Sequence, residues 1–158
     1  MSEAFSIRIA AIRDEDEILQ CLGHAFAPYH ASCTPDALVD TVLTRETIGR
    51  RLAEMTVLVA IDQPGHVIGT IAYHVATDGE GHLRGMAVNP EWQGFGVAQK
   101  LLVKTESDLR KLHCKVVTLD TTVPLQRAIR FYEKNGFRPT GKVKSFFGMQ
   151  LCSYRKDL

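Results

Sequence analysis

The segment from His82 to Thr122 constrains the fold more than any other part of the chain. "HLRGMAVN" (His82–Asn89) reads as a strand, a helical pattern runs from Gln93 to Leu112, and "KVVTLDTT" (Lys115–Thr122) reads as a second strand. A unit of this kind lays its two strands parallel in one sheet, joined by a right-handed crossover. The helix start, "PEWQGFG", puts Gly94 and Gly96 where good helix formers belong. Glycine inside a helix costs about 1 kcal/mol relative to alanine. The compensation the pattern suggests is an anion. Helix N-termini leave N–H groups unpaired and carry about half a unit of positive charge. Residues without a Cβ let an anion come close to them. "QGFGVA" lacks the third glycine of the dinucleotide fingerprint, and no Gly-Lys-Ser/Thr follows it as in a Walker loop. It fits a diphosphate cradle of another spacing, with a flexible strand-to-helix corner as the plain alternative.

The rest of the chain supplies more strands and helices. "SIRIAAI" (Ser6–Ile12) alternates as a first strand. Asp14 is placed to cap a helix, with Glu17 as its capping-box partner, and Ile18, Leu19, Leu22 and Phe26 follow at helical spacing. Pro28 to Pro35 reads as loop, and Asp36 to Glu54 as one or two amphipathic helices. "TVLVAID" (Thr56–Asp62), the turn Gln63–His66, "VIGTIAYHVA" (Val67–Ala76) and the turn "TDGEG" precede the fourth strand. The long helix has an apolar stripe of Val97, Leu101, Thr105, Leu109 and Leu112, flanked by Ala98 and Leu102. A helix from Leu125 to Asn135 stops at Gly136, and Phe137 can make the apolar contact that follows such a stop. Two strands close the chain. The order β-α-α-β-β-β-α-β-α-β-β predicts an α/β fold, a mixed sheet with helices on its faces. At 158 residues the chain reads as one domain, residues 1–158.

Charge excludes some functions. The formal net charge of +1 offers no domain-wide footprint for nucleic acid. No apolar run approaches a membrane span, and "MSEAFSIRIA" lacks the pattern of a signal peptide, so the expected location is cytoplasmic. Cys21, Cys33, Cys114 and Cys152 are too widely spaced for a disulfide framework. Cys21, His24, His30 and Cys33 are all of metal-ligand type, which keeps a metal-dependent hydrolase as a minor reading.

"MAVNPEWQGFGVAQKLL" resembles the acyl-CoA-binding segment of the GNAT superfamily of N-acetyltransferases, with Gln93, Gly96 and Ala98 at the defining positions. "RAIRFYEKNGF" (Arg127–Phe137) resembles the second signature of that family, and the two lie in the right order with a strand between them. The resemblance implies a splayed central parallel strand pair. It implies that the backbone of Gln93, Gly94, Phe95, Gly96, Val97, Ala98 and Gln99 binds the pyrophosphate of coenzyme A. Pantetheine would lie along Met86, Ala87 and Val88. Such contacts depend little on side chains, so a bland sequence can serve them.

The resemblance also places Tyr132 near the cofactor sulfur as general acid, although Leu125, Ala128, Ile129 and Tyr132 share a helix face and the ring could simply be core. An alkyl ammonium has a pKa of about 10.4, so only about one in 2,500 is neutral at pH 7 and a base is expected. Glu80 and His82 are the candidates, with His74 and Glu54 behind them. Where the family often has Asn, this chain has Leu125; Thr121, Thr122 or Gln126 could supply the missing polar contact. The expected activity is acetyl transfer from acetyl-CoA to an amine of a small molecule or protein by direct attack. A catalytically idle acyl-CoA-binding or sensing domain is the alternative. The acceptor would sit between His24–Arg51 and the final hairpin, where Phe146, Phe147 and Met149 offer an apolar wall. Dimer formation through the last strands is common in the family.

Overall fold

A computed structural model describes residues 4–76 and 79–158. The elements are β1 (Phe5–Ile9), α1 (Glu15–Phe26), α2 (Pro35–Val42), α3 (Arg45–Glu54), β2 (Thr56–Asp62), β3 (Val67–Val75), β4 (Glu80–Val88), α4 (Val97–Lys111), β5 (Val116–Thr122), α5 (Gln126–Lys134), β6 (Arg138–Phe146) and β7 (Met149–Asp157). They build one seven-stranded sheet in the order β1-β2-β3-β4-β5-β7-β6. β4 and β5 run parallel, as the crossover predicts, and the other neighbouring pairs are antiparallel.

Strand alternation feeds two cores. In β2, Val57 and Val59 pack with Ile18, Leu22 and Ile48 of α1 and α3. Leu58 and Ala60 turn the other way and share a cluster with Val97, Leu101 and Leu109 of α4. The sheet is therefore sandwiched between helices. Of the expected α4 stripe, Val97, Leu101, Thr105 and Leu109 are buried, and Thr105 ties its hydroxyl to the Leu101 carbonyl at 2.9 Å. Leu112 is 53% exposed, because the helix has already ended there.

Several local expectations change. β1 ends at Ile9 because the chain turns into a 3-10 segment at Ile12–Asp14. Asp14 does precede α1 but makes no side-chain cap. Its carboxylate is taken by a two-pronged bond from Arg8 (2.7 and 2.9 Å) and by the Ala11 N–H. Glu17 instead faces His66 and accepts from the Val67 N–H. Asp36–Glu54 is two helices: Leu43 adopts φ +65, and Thr44 then caps α3 by accepting from the Thr47 N–H. Part of the "TDGEG" turn, Thr77 and Asp78, lies outside the described residues, and β4 begins at Glu80 rather than His82. The Gly136 stop holds: the glycine has φ +94, and Phe137 beyond it is fully buried.

Candidate active site

β4 and β5 are paired over a short stretch, from Glu80 opposite Val116 to Leu83 opposite Leu119. Beyond it β4 follows β3 while β5 continues along β7 to Thr122. The cause lies in β4. Opposite the step from Thr70 to Ala72 of β3, the chain advances from Arg84 to Ala87, a bulge containing Gly85 at φ +63. The bulge bends β4 away and opens a wedge between the two parallel strands. A cavity of about 880 Å³ fills that wedge, lined by Met86, Ala87 and Val88 on one side and Asp120, Thr121 and Thr122 on the other.

The cradle stands at the wide end. After a 3-10 turn at Pro90–Trp92, Gly94 (φ +88) and Gly96 (φ +82) take left-handed conformations, and α4 starts at Val97 rather than at Gln93. The glycines therefore precede the helix and aim its first turn. A Cβ added to either would meet nothing within 4 Å, so the space before the helix end is open. The helix closes its first bond from Lys100 N–H to the Gly96 carbonyl (3.1 Å). That leaves the N–H groups of Val97, Ala98 and Gln99 without intrahelical partners. Gln93 braces the turn: its amide donates to the Val88 carbonyl (3.1 Å), and its Oε1 accepts from Arg127 of α5 (2.6 Å). Phe95 is 67% exposed and does not line the cavity.

Tyr132, on α5, lines the same cavity and packs its ring edge-on against Phe131 and Phe137. Burial pushes its phenol well above the ordinary value near 10, so it stays protonated. His82 also lines the cavity, whereas Glu80, one step further from the opening on the same strand face, lines only a smaller depression that adjoins it at His82 and Asp120. His82 Nδ1 lies 2.8 Å from the Thr118 hydroxyl, which itself donates to the Gly81 carbonyl at 3.4 Å. The pair shares one hydrogen bond, whose direction follows the ring tautomer. In the tautomer that carries its proton on Nδ1, Nε2 holds the lone pair; that nitrogen lies 3.9 Å from Asp120 Oδ2. Burial lowers the His82 pKa below 6.5 despite the raising influence of Asp120, so the ring is neutral at pH 7. His74 stacks edge-on at 5.6 Å, its buried Nδ1 without a hydrogen-bond partner among the described residues. Glu54 is exposed and outside the cavity. At the position of the missing Asn, Leu125, Thr121 and Thr122 line the cavity, while the Gln126 amide turns to the Val123 carbonyl.

The cysteine–histidine cluster does not assemble. Cys21 is buried against β4, 4.0 Å from the Ala87 carbonyl, and burial pushes its thiol up to about 12. His24 is exposed. Among the described residues no three His, Cys, Asp or Glu side chains are grouped to hold a metal ion.

Residues 19–137, most of this architecture, match the acetyltransferase (GNAT) family. The chain belongs to the GNAT acetyltransferases. Its relatives include the amino-acid acetyltransferase of Pseudomonas putida strain GB-1, 29% identical over 99 residues, which is 62% of this chain and 21% of that protein. The chain thus spans about a fifth of the length of those relatives. The aminoglycoside N(6′)-acetyltransferase type 1 of Stenotrophomonas maltophilia is 28% identical over 130 residues, 77% of this chain and 84% of its own. Among solved structures, the paia N-acetyltransferase of Thermoplasma acidophilum, in complex with coenzyme A, has a TM-score of 0.81 at 18% identity over 100% of both chains. A GNAT-family acetyltransferase of Staphylococcus aureus Mu50 has a TM-score of 0.80 at 20% identity, covering 98% of this chain and 99% of that one. At those identities the likeness speaks for the GNAT fold.

Within this GNAT site, sequence reasoning missed Thr118, Asp120 and Arg51. Thr118 and Asp120 alternate on one face of β5, and that period was the available signal. Arg51 had none, because only the fold brings α3 to the bulge at Gly85.

Proposed function

We propose that this chain, residues 1–158 acting as one domain, transfers an acetyl group from acetyl-CoA to an amine of a small molecule or protein by direct attack. The carrying observation is the opened β4–β5 pair leading to a helix end set up by two left-handed glycines. The residues present fit coenzyme A. The peptide N–H groups from Gly94 to Gln99 offer donors for a diphosphate, and no Cβ at Gly94 or Gly96 blocks the approach. The β4 main chain from Arg84 to Val88 has lost its β5 partner and is available to an extended amide chain such as pantetheine.

Acetyl-CoA supplies the activated thioester; the protein supplies position and proton transfer. His82 Nε2, neutral and facing the cavity, accepts the proton of the incoming ammonium. Asp120 stabilises the imidazolium that forms, and Thr118 holds the ring in the basic tautomer. Main-chain N–H groups near Val88 stabilise the developing oxyanion. Tyr132 gives its proton to the departing sulfur. The same desolvation that raises the phenol raises a thiolate beside it, so the transfer stays matched.

We place the reaction in the cytosol, where the four unpaired cysteines would remain reduced. Among the described residues no helix is long and apolar enough to cross a membrane. A homodimer through the final strands belongs to the same reading, since β6 ends the sheet and is exposed along nearly its whole length. The test is thiol release from acetyl-CoA with a panel of amines and peptides, for wild type and Tyr132→Phe. Amine-dependent release that falls in the variant supports transfer. Tight binding with no turnover in either form leaves the idle acyl-CoA-binding domain.

A further inference from the structure

The acceptor side of the cavity holds more positive charge than its surroundings neutralise. Arg51 reaches in from the last turn of α3, and Arg84 projects from β4; both line the cavity, as does Asp40 of α2. Asp40 is already engaged, its Oδ2 lying 3.3 Å from Arg84 Nη2. Among the described residues no carboxylate lies within ion-pair distance of Arg51. Two guanidinium groups thus share one carboxylate, leaving a surplus of one positive charge. Burial and repulsion from Arg84 push Arg51 down to about 10, which marks a cation held in a poor environment.

The fold leaves room for this group. Gly85 is the bulge residue of β4, and a Cβ there would collide with the Arg51 guanidinium. The bulge that opens the wedge therefore also seats Arg51 beside it. A half-buried guanidinium without a partner is unfavourable, and its planar fork suits a carboxylate held by two parallel hydrogen bonds. The surplus of one charge matches a monoanion better than a phosphate dianion. Phe26 and Tyr29, whose rings meet at 6.4 Å, give an apolar flank at the same end of the cavity.

Resting on the acetyltransferase reading, we propose that the amine acceptor carries a carboxylate, and that Arg51, seated at Gly85 with Arg84 beside it, binds that carboxylate. The acceptor class is an amino acid or a short peptide with a free C-terminus.

The experiment is a kcat/KM comparison by thiol release. α-Amino acids, ω-amino acids from β-alanine to 6-aminohexanoate, and tripeptides are each assayed against their carboxamides, with phosphoethanolamine as the phosphate arm. The best acid should exceed its amide by about 10- to 100-fold, the size of a lost charged hydrogen-bond pair, and chiefly through KM. Arg51→Gln should bring the acid down to the level of its amide, and Arg51→Lys should restore part of the preference. Should Arg51→Gln not fold, the wild-type ratio and Arg51→Lys decide. Equal rates for acid and amide, preference for phosphoethanolamine, or acetylation of carboxylate-free amines alone overturns the proposal. Coenzyme A affinity, measured separately, distinguishes the failures: a protein that binds it but ignores the carboxylate loses this inference alone, and one that does not bind it loses the acetyltransferase reading.

Discussion

The Nδ1 atom of His82 lies 2.8 Å from the hydroxyl oxygen of Thr118, across the last paired stretch of β4 and β5. In the proposed mechanism this contact keeps the proton on Nδ1 and leaves Nε2 free to accept one. Thr118→Val removes the acceptor and lets the Nε2–H tautomer compete, and that tautomer cannot take a proton at Nε2. The expected loss in kcat is roughly 2- to 10-fold, with KM for acetyl-CoA unchanged. Steady-state kinetics at saturating amine read both quantities.

Replacing the ring itself has a sharper signature. His82→Ala should lower the rate at pH 7 by about 10²- to 10⁴-fold. The deficit should shrink by about tenfold for each pH unit raised toward the pKa of the acceptor amine used, about 10.4 for an alkyl amine and about 8 for a peptide α-amine, because the amine then deprotonates without help. A deficit constant with pH would assign His82 a packing role.

In the wild type, the acid limb of kcat/KM should have its midpoint below 6.5, since burial lowers the His82 pKa. In the proposed mechanism the neutral ring is the base, so activity should rise as pH passes the lowered pKa. The same shift leaves stability untouched above 6.5. It removes stability as pH falls from there toward the folded-state pKa, where the unfolded chain protonates first. A pH–rate profile and melting curves between pH 4 and 8 follow the two effects.

Much of the fold and the cradle was legible because both rest on local pattern. Alternation in Thr56–Asp62, the helical stripe from Val97 to Leu109, and the Gly136–Phe137 stop each depend on neighbours a few residues away. The start of α4 was misplaced because two positive-φ glycines read the same in sequence whether they sit inside a first turn or ahead of it. Asp14 was misread as a cap because its carboxylate is claimed by Arg8, six residues earlier across a turn. Glu80 and His82 could not be separated by sequence, since they share one face of β4. Their difference is the point at which β5 leaves, and that depends on the bulge at Gly85. Arg51 at that bulge is a contact between distant segments and carries no local mark.

Tyr132→Phe should keep the fold, because the ring contacts with Phe131 and Phe137 survive. Its kcat should fall by about 10²- to 10⁴-fold while coenzyme A affinity holds. Thermal melting beside kinetics separates the lost proton from lost packing.

Asp14→Asn breaks the two-pronged bond from Arg8, whose partner carboxylate is buried while the guanidinium remains partly exposed. The expected cost is about 1–3 kcal/mol, read by urea unfolding. Arg8 and the Ala11 N–H hold the Asp14 pKa below its ordinary value, overcoming burial. The pair's stabilisation is therefore full above pH 3.8 and is lost as pH falls through the lowered folded-state value. In the variant that part of the acid dependence should vanish.

The most direct test of the account is calorimetric titration of coenzyme A into wild type and Gly96→Val. A valine at φ +82 costs about 1–3 kcal/mol and fills the open space before the helix end. The account predicts one coenzyme A per chain in the wild type and binding about 5- to 150-fold weaker in a folded Gly96→Val, whose turn relaxes to escape the strain and must be strained again to bind. A folded wild type that releases no heat with coenzyme A, or a variant that binds it equally well, would contradict the claim that this opened strand pair and its glycine-led helix end hold the acyl donor.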